Sequence, residues 1–209
     1  RHKSEVMPVG IDFRRLDRGR VPAPESTTGE DSPLILWNQR WEYDKDPDTF
    51  FAALDILAAE GIPFRVAICG QQFGKQPPVF AKGLQKLGER VHHAGYADPD
   101  TYARLLWESD VTVSTAQHEF FGISILEAIY AHTLPILPAR LSYPELLLPE
   151  YHRPCLYDDF QGLLDLLRNG LLHVQETRQV AAALSKTTAV YDWQKLAPRY
   201  DARLSNLIL

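Results

Sequence analysis

Residues 33–69 read PLILWNQRWEYDKDPDTFFAALDILAAEGIPFRVAIC, with a short apolar run at each end and a longer segment of helical spacing between them. The first run, Leu34–Trp37, is typical of a buried strand. The pair Asp46-Pro47 supplies an N-cap and a first-turn proline, and Gly61 ends the helix that follows. The second run, 64–69, predicts another strand. The stretch therefore predicts a strand–helix–strand unit with its two strands parallel in one sheet.

The alternation of apolar runs and helical segments continues to the end of the chain. Further strands are predicted at 90–93, 111–113, 134–137 and 154–157, and helices at 78–87, 99–108, 121–131, 143–147, 160–172, 175–186 and 193–207. This order predicts an α/β fold, a Rossmann-like parallel sheet with helices on both faces and a helical C-terminal tail. Ligands of such sheets bind at the carboxyl ends of the strands, so functional residues are expected in the loops after strands.

Composition indicates an ordinary globular domain, since 45% of the 209 residues are hydrophobic and 23% are charged. The net charge of −5 matches a phosphate backbone poorly, so we do not expect broad nucleic-acid binding. Cys69 and Cys155 lie in apolar runs, which favours buried thiols and a cytoplasmic setting. No apolar run has the length of a membrane span, and we expect no membrane insertion. The chain opens without a secretory leader or a starting Met, so we expect it to begin within a longer protein.

Residues 13–33 differ in amino-acid composition from the rest of the chain. They are rich in charged residues, Ser, Thr, Gly and Pro, and they carry little apolar surface. Such a composition predicts a flexible linker or loop. The regular alternation begins at residue 34, so 34–209 is predicted as one Rossmann-like domain.

Several familiar motifs are incomplete in this sequence. The segment 70–75 follows a strand, but its spacing is one residue short of a Walker A loop and no Ser or Thr follows Lys75. Gly70 is still expected to let the backbone come close to a ligand. His92 and His93 are adjacent in a strand, so they point to opposite faces and cannot chelate one metal together. We predict no metal site.

The stretch 114–128 carries the strongest signal for chemistry, because it follows the strand 111–113 and opens a helix. Gly122 keeps the turn open, and the backbone N–H groups that follow it form an anion site with the helix dipole. Glu119 and Glu127 bracket this turn, with seven residues between them. A carboxylate accepts two hydrogen bonds and a vicinal diol donates two. The pattern therefore predicts a hydroxyl clamp on each side of a bound phosphate, which suits a sugar–diphosphate–ribose ligand.

The loop after the first strand offers the matching cations. Arg40 and Lys45 lie in this loop, on the same predicted edge of the sheet. They are expected to hold a diphosphate and to neutralise the charge that develops on it as it leaves. Asn38, at the start of the loop, is expected to contact the same ligand.

These residues resemble glycosyltransferase family 4, whose enzymes have the GT-B architecture. The C-terminal domain of that family carries a Glu-x7-Glu signature, and residues 119–127 match it without a gap. The family also places an Arg and a Lys after the first strand of this domain, as at Arg40 and Lys45. Residues 1–12 resemble its interdomain strand and turn. The resemblance implies the C-terminal, donor-binding half of a GT-B fold, without the N-terminal acceptor domain.

The resemblance also implies roles for individual residues. Arg40 and Lys45 would bind the diphosphate, and Glu119 would contact the hydroxyls of the donor sugar. Glu127 would bind the ribose. Further contacts would come from the backbone of Phe121, Gly122 and Ile123, and from the loop 93–97 beside the base, which holds Gly95 and Tyr96. Retention on one face of the sugar is expected, and no metal or other cofactor is required.

Two stretches, 36–47 and 138–145, resemble a branch of the family that is expected to take GDP-mannose and to modify queuosine in tRNA. The acceptor would be bound mainly by the N-terminal domain, so this chain alone is expected to bind a donor without transferring sugar. Two alternatives stay open. One is a non-catalytic sugar-nucleotide-binding or interaction module, and the other is a UDP-sugar-dependent family 4 transferase with a different acceptor.

Overall fold

The computed structural model describes residues 6–20, 32–70 and 77–205. Within these ranges the strands are β1 (Leu34–Asn38), β2 (Arg65–Cys69), β3 (Val91–Gly95), β4 (Val111–Val113), β5 (Leu134–Pro138) and β6 (Leu156–Tyr157). The α-helices are α1 (Pro47–Ala59), α2 (Pro78–Leu87), α3 (Pro99–Glu108), α4 (Ile123–Tyr130), α5 (Tyr143–Leu146), α6 (His152–Cys155), α7 (Phe160–Leu172), α8 (Val174–Leu184) and α9 (Trp193–Ser205). None of these helices is long and apolar enough to cross a membrane.

The six strands form one parallel sheet in the order β3-β2-β1-β4-β5-β6. This confirms the predicted Rossmann-like sheet with a helical C-terminal region. The strand order reverses between β1 and β4, which pair through Ile35 with Val111 and Leu36 with Thr112. Crevices at such a switch point are where open α/β sheets bind ligands. The fold therefore brings the loop after β1 and the loop after β4 to the same place.

The N-caps that the sequence predicts position the helices at this edge. The Asp46 side chain accepts a hydrogen bond from the backbone N–H of Thr49 at 3.2 Å, and Pro47 opens α1. The Asp98 side chain accepts from the N–H groups of Asp100 and Thr101 at 3.0 and 3.1 Å, ahead of α3. Each cap satisfies helix N–H groups that have no intrahelical partner, and so fixes where the preceding loop ends.

The predicted flexible linker at 13–33 is wrong for its first part, because Phe13–Gly19 forms a 3-10 helix. Phe13 stacks on Tyr130 of α4 with ring centroids 4.4 Å apart. The indole N–H of Trp107 on α3 donates to the carbonyl of Leu16 at 2.9 Å. Phe13 and Leu16 are three residues apart, which puts both on one face of a helix with three residues per turn. Residues 21–31 of the predicted linker lie outside the described residues.

Two predicted strands are also much shorter in the structure than in the sequence prediction. Residues 6–10 form no regular structure, and Ile11 makes a single parallel bridge with Asp192, so the predicted strand at the start is reduced to one contact; residues 1–5 lie outside the described part. The predicted strand 154–157 is half helical, because α6 runs to Cys155 and β6 holds only Leu156 and Tyr157. β6 pairs with Leu137 and Pro138 at the end of β5.

Candidate functional site

The loops after β1 and β4 are joined by hydrogen bonds. The hydroxyl of Thr115 donates to the carbonyl of Lys45 at 2.7 Å, and the backbone N–H of Gln117 donates to the carbonyl of Asp44 at 2.8 Å. The Lys45 ammonium donates to the carbonyl of His118 at 2.5 Å. These contacts hold the two loops as one unit over the switch point.

Two adjoining cavities open at this edge of the sheet. The first, of about 260 Å³, is lined by Asn38, Gln39, Arg40, Asp44, Lys45, His118, Glu119, Phe120 and Ser124. The second, of about 200 Å³, is lined by Asn38, Gln39, Arg40, Cys69, Gly70, Tyr96, Ala97 and Tyr102. They share the three residues at the end of β1, Asn38, Gln39 and Arg40. A ligand longer than either cavity can therefore extend from one into the other.

The first cavity contains a buried ammonium group between carboxylates. The Lys45 side chain is 8% exposed, and its Nζ lies 3.2 Å from Asp44 and 3.7 Å from Glu119. Arg40 is different, since 54% of its side chain is exposed and it pairs with Glu42 at 3.2 Å. Lys45 is thus fixed in place, whereas Arg40 can rearrange towards an anion at low cost.

Glu119 is held by its own loop. Its carboxylate accepts hydrogen bonds from the backbone N–H groups of Phe120 at 3.0 Å and Phe121 at 3.3 Å. Gly122 then adopts a left-handed backbone (φ 100°), and a Cβ there would lie 2.9 Å from Leu146, so only glycine fits this turn. α4 begins at Ile123, and its first N–H groups provide the positive end of a helix.

Glu127 is 4% exposed and is held by side chains from other elements. The Tyr102 hydroxyl donates to its Oε2 at 2.8 Å, and the Arg15 guanidinium donates to its Oε1. Burial and then the Glu127 carboxylate raise the pKa of Tyr102 well above its usual value, so this hydroxyl remains a donor. The amide of Asn38 donates to the Tyr102 hydroxyl at 3.2 Å and to the carbonyl of Ser124 at 2.8 Å, which links β1 to α4.

The structure brings some predicted site residues together and leaves others apart. Those that line the two cavities are Asn38, Arg40, Lys45, Gly70, Tyr96 and Glu119. Those that do not line these two cavities are Gly95, Phe121, Gly122, Ile123 and Glu127. Gly95 is the last residue of β3 rather than part of a loop, and its carbonyl accepts a hydrogen bond from the N–H of Gly70 at 3.0 Å. In the described ranges, no group of three or more His, Cys, Asp or Glu side chains is arranged to hold a metal ion.

Among the residues of this region that the sequence prediction missed are Gln39, Arg15 and Tyr102. Gln39 lay inside the quoted strand–helix–strand stretch, and no local pattern showed that its buried amide would lack a partner. Arg15 lay in the supposed linker, where the spacing of Phe13 and Leu16 was the available sign of a short helix. Tyr102 lies one turn into α3 and meets Glu127 only through the fold, so no local pattern identified it.

Comparison with known proteins assigns the family. The model of the family described as "Glycosyl transferases group 1" matches residues 23–178 of this chain. The chain belongs to this family. Membership in glycosyl transferases group 1 confirms the resemblance to glycosyltransferase family 4 and its GT-B architecture, which the sequence around Glu119 and Glu127 indicated.

Proteins similar to this member of glycosyl transferases group 1 include one sequence relative and several solved structures. It is 35% identical over 171 residues to the tRNA-queuosine alpha-mannosyltransferase of Drosophila melanogaster, covering 80% of this chain and 44% of that protein. Sucrose-phosphate synthase from Thermosynechococcus elongatus superposes with a TM-score of 0.77 at 20% identity, over 98% of this chain and 52% of that one. HepE from Anabaena in complex with UDP gives a TM-score of 0.74 at 16% identity, over 94% and 56%. The chain thus spans about half the length of these relatives.

Proposed function

We propose that this chain binds the nucleotide-sugar donor of a retaining glycosyltransferase, with GDP-mannose as the donor and queuosine in tRNA as the acceptor. The observation that carries the proposal is the pair of adjoining cavities at the switch point. One cavity holds Lys45 and Glu119, and the other is lined by Gly70, Tyr96 and Tyr102. A sugar and diphosphate suit the first, and a nucleoside suits the second.

The residues of the first cavity have the chemistry that sugar transfer needs. When the bond between the anomeric carbon and the phosphate oxygen breaks, negative charge grows on the departing diphosphate. The ammonium of Lys45, the mobile guanidinium of Arg40 and the N-terminus of α4 would stabilise that charge without a metal ion. Glu119 would accept hydrogen bonds from hydroxyls of the sugar. The departing diphosphate would take the proton of the acceptor hydroxyl on the same face, which gives retention.

The choice of donor and acceptor follows the named relative. The Drosophila protein is called a tRNA-queuosine alpha-mannosyltransferase and is 35% identical over the aligned part. The similar solved structures, including HepE in complex with UDP-glucose at 17% identity, support the fold. They do not determine which nucleotide this chain binds. With a net charge of −5, this chain is not expected to provide the main tRNA surface. Other parts of the protein would bind the acceptor.

Transfer assays on the intact protein test the proposal. The protein is incubated with GDP-mannose and with UDP-glucose, each with tRNA that contains queuosine and with tRNA that lacks it. We expect a hexose adduct only with GDP-mannose and queuosine-containing tRNA, detected by mass spectrometry of the nucleosides. Transfer from UDP-glucose and not from GDP-mannose would show that the proposed donor is wrong. Transfer to tRNA without queuosine would show that the proposed acceptor is wrong. Binding of neither GDP nor UDP in calorimetry would overturn the donor-site proposal.

A further inference from the structure

Gln39 is the first residue after β1, and its amide makes no hydrogen bond to any residue that the structure describes. The residue is 6% exposed, and both its Nε2 and its Oε1 are buried with no partner in the described part of the chain. A buried amide without partners destabilises a fold, because it has given up its bonds to water and gained none in return. Native proteins leave few such groups, and those that remain call for an explanation.

The neighbouring amide shows that this region can satisfy such a group. Asn38 donates to the carbonyl of Ser124 at 2.8 Å and to the hydroxyl of Tyr102 at 3.2 Å. Its oxygen accepts from the hydroxyl of Thr112 at 3.3 Å. Two amides lie side by side in the chain, and the described residues provide partners for one of them only. The difference indicates that the partners of Gln39 come from outside the described residues.

The position of Gln39 identifies where those partners would be. It is one of the three residues that line both cavities, so it lies where they meet. Lys45 and Glu119 lie in the cavity on one side, and Gly70 and Tyr96 in the cavity on the other. A ligand that occupies both cavities passes Gln39 with its middle part.

The chemistry of an amide restricts that middle part. The Nε2 group needs an acceptor, and Oε1 needs a donor. In a nucleotide sugar the middle part is the ribose and the diphosphate, whose hydroxyls donate and whose phosphate oxygens accept. We propose that the Gln39 amide binds this ribose–diphosphate link, with Nε2 donating to a phosphate oxygen and Oε1 accepting from a ribose hydroxyl. This inference rests on the proposed function, because it takes the ligand to be a nucleotide sugar.

A ligand-binding amide and a structural amide differ in the sign of their effect on stability. If Gln39 is kept for a ligand, an apolar side chain of similar length removes two unpaired buried atoms. The ligand-free protein then becomes more stable while its affinity for the nucleotide falls. An amide that supports the fold would give the reverse effect on stability, since its loss would remove interactions present without ligand.

The experiment compares wild type with Gln39→Met in the intact protein. Melting temperature is measured without ligand, and calorimetry gives the affinities for GDP and for UDP. We expect the melting temperature to rise by roughly 2–4 °C. The affinity for the nucleotide that wild type prefers should fall by roughly tenfold or more, because hydrogen bonds to charged phosphate oxygens are strong. The matched control is Gln161→Met, an exposed glutamine on α7 that donates to Asp165 at 2.8 Å, and it should leave the affinity unchanged.

Each outcome decides the inference. An unchanged affinity in Gln39→Met overturns it, and so does a lower melting temperature, which would mean that the amide is already partnered without ligand. Gln39→Ala is the second variant, because it cannot clash if the longer methionine disturbs the loop, and it should weaken nucleotide binding as well. If wild type binds neither GDP nor UDP, the proposed function itself fails and the inference falls with it. Binding by wild type with equal binding by both Gln39 variants overturns the inference alone.

Discussion

Glu119 and Glu127 belong to one nine-residue motif, yet they are held in opposite ways. Glu119 accepts hydrogen bonds from the backbone N–H groups of the two residues that follow it, at 3.0 and 3.3 Å. Glu127 is held by Tyr102, 25 positions away in the chain, and by Arg15, 112 positions away. The first carboxylate is placed by its own loop, and the second by the assembly of the domain.

The difference shows that the two ends of the proposed donor site would depend on the rest of the protein to different degrees. Glu119 keeps its place wherever the loop after β4 keeps its shape. Glu127 already has a partner on each carboxylate oxygen, and it lines neither cavity. A carboxylate has about four lone-pair sites, so a ribose would either use those that remain or replace the half-exposed Arg15. If Glu127 binds the ribose as proposed, the segment that carries Arg15 would be coupled to nucleotide binding.

The largest effect is expected beside Glu119, from the substitution Lys45→Met. This change removes the buried ammonium beside Glu119 and retains much of the side-chain volume. We expect kcat of the intact enzyme to fall by roughly 100-fold or more, because a fixed charge aimed at the departing group is lost. Lys86→Met is the control, since that lysine lies on α2 and is exposed, paired with Asp55 at 2.7 Å. Steady-state kinetics that place Lys45→Met within twofold of wild type would remove its catalytic role.

The next effect separates the two carboxylates directly. Glu127→Gln should lower the affinity for GDP by roughly tenfold and leave the affinity for inorganic pyrophosphate unchanged, because a charged acceptor of the ribose hydroxyls is lost. Glu119→Gln should show the complementary pattern. Its affinity for GDP-mannose should fall and its affinity for GDP should stay unchanged, since the expected partner of Glu119 is the sugar. Calorimetry with the three ligands checks both. If Glu127→Gln lowers the affinity for pyrophosphate as much as that for GDP, Glu127 does not bind the ribose, and the proposed contrast between the two carboxylates is wrong.

The smallest effects concern the residues that hold Glu127. Tyr102→Phe should lower the free energy of unfolding by about 1–2 kcal/mol, because it deletes a donor to a buried carboxylate. Arg15→Gln should lower it by less than about 1 kcal/mol, since 54% of the Arg15 side chain is exposed and water screens the pair. Urea unfolding at low and high salt measures both, and the Arg15 effect should shrink with salt. A larger loss from Arg15→Gln than from Tyr102→Phe would show that the ion pair, rather than the tyrosine, holds the carboxylate.

Local patterns predicted the regular elements well where the relevant interactions are short in sequence. The caps at Asp46 and Asp98, each followed by proline, marked the beginnings of α1 and α3. The prediction failed at Phe13–Gly19, where low apolar content suggested a linker. That segment is ordered by its packing against α3 and α4, which includes the stacking of Phe13 on Tyr130, and no neighbour in sequence reveals this packing.

By itself the sequence determined the alternation of strands and helices and the capped helix starts, because each depends on residues within one or two turns of chain. Only the tertiary structure decided that the loops after β1 and β4 meet, since strand order depends on how whole units pack. It also decided that Arg15 and Tyr102 hold Glu127, and that the Gln39 amide has no partner in the described chain. Hydrogen-bond satisfaction depends on every group that surrounds an atom in space, and the order of residues along a chain does not specify that surrounding.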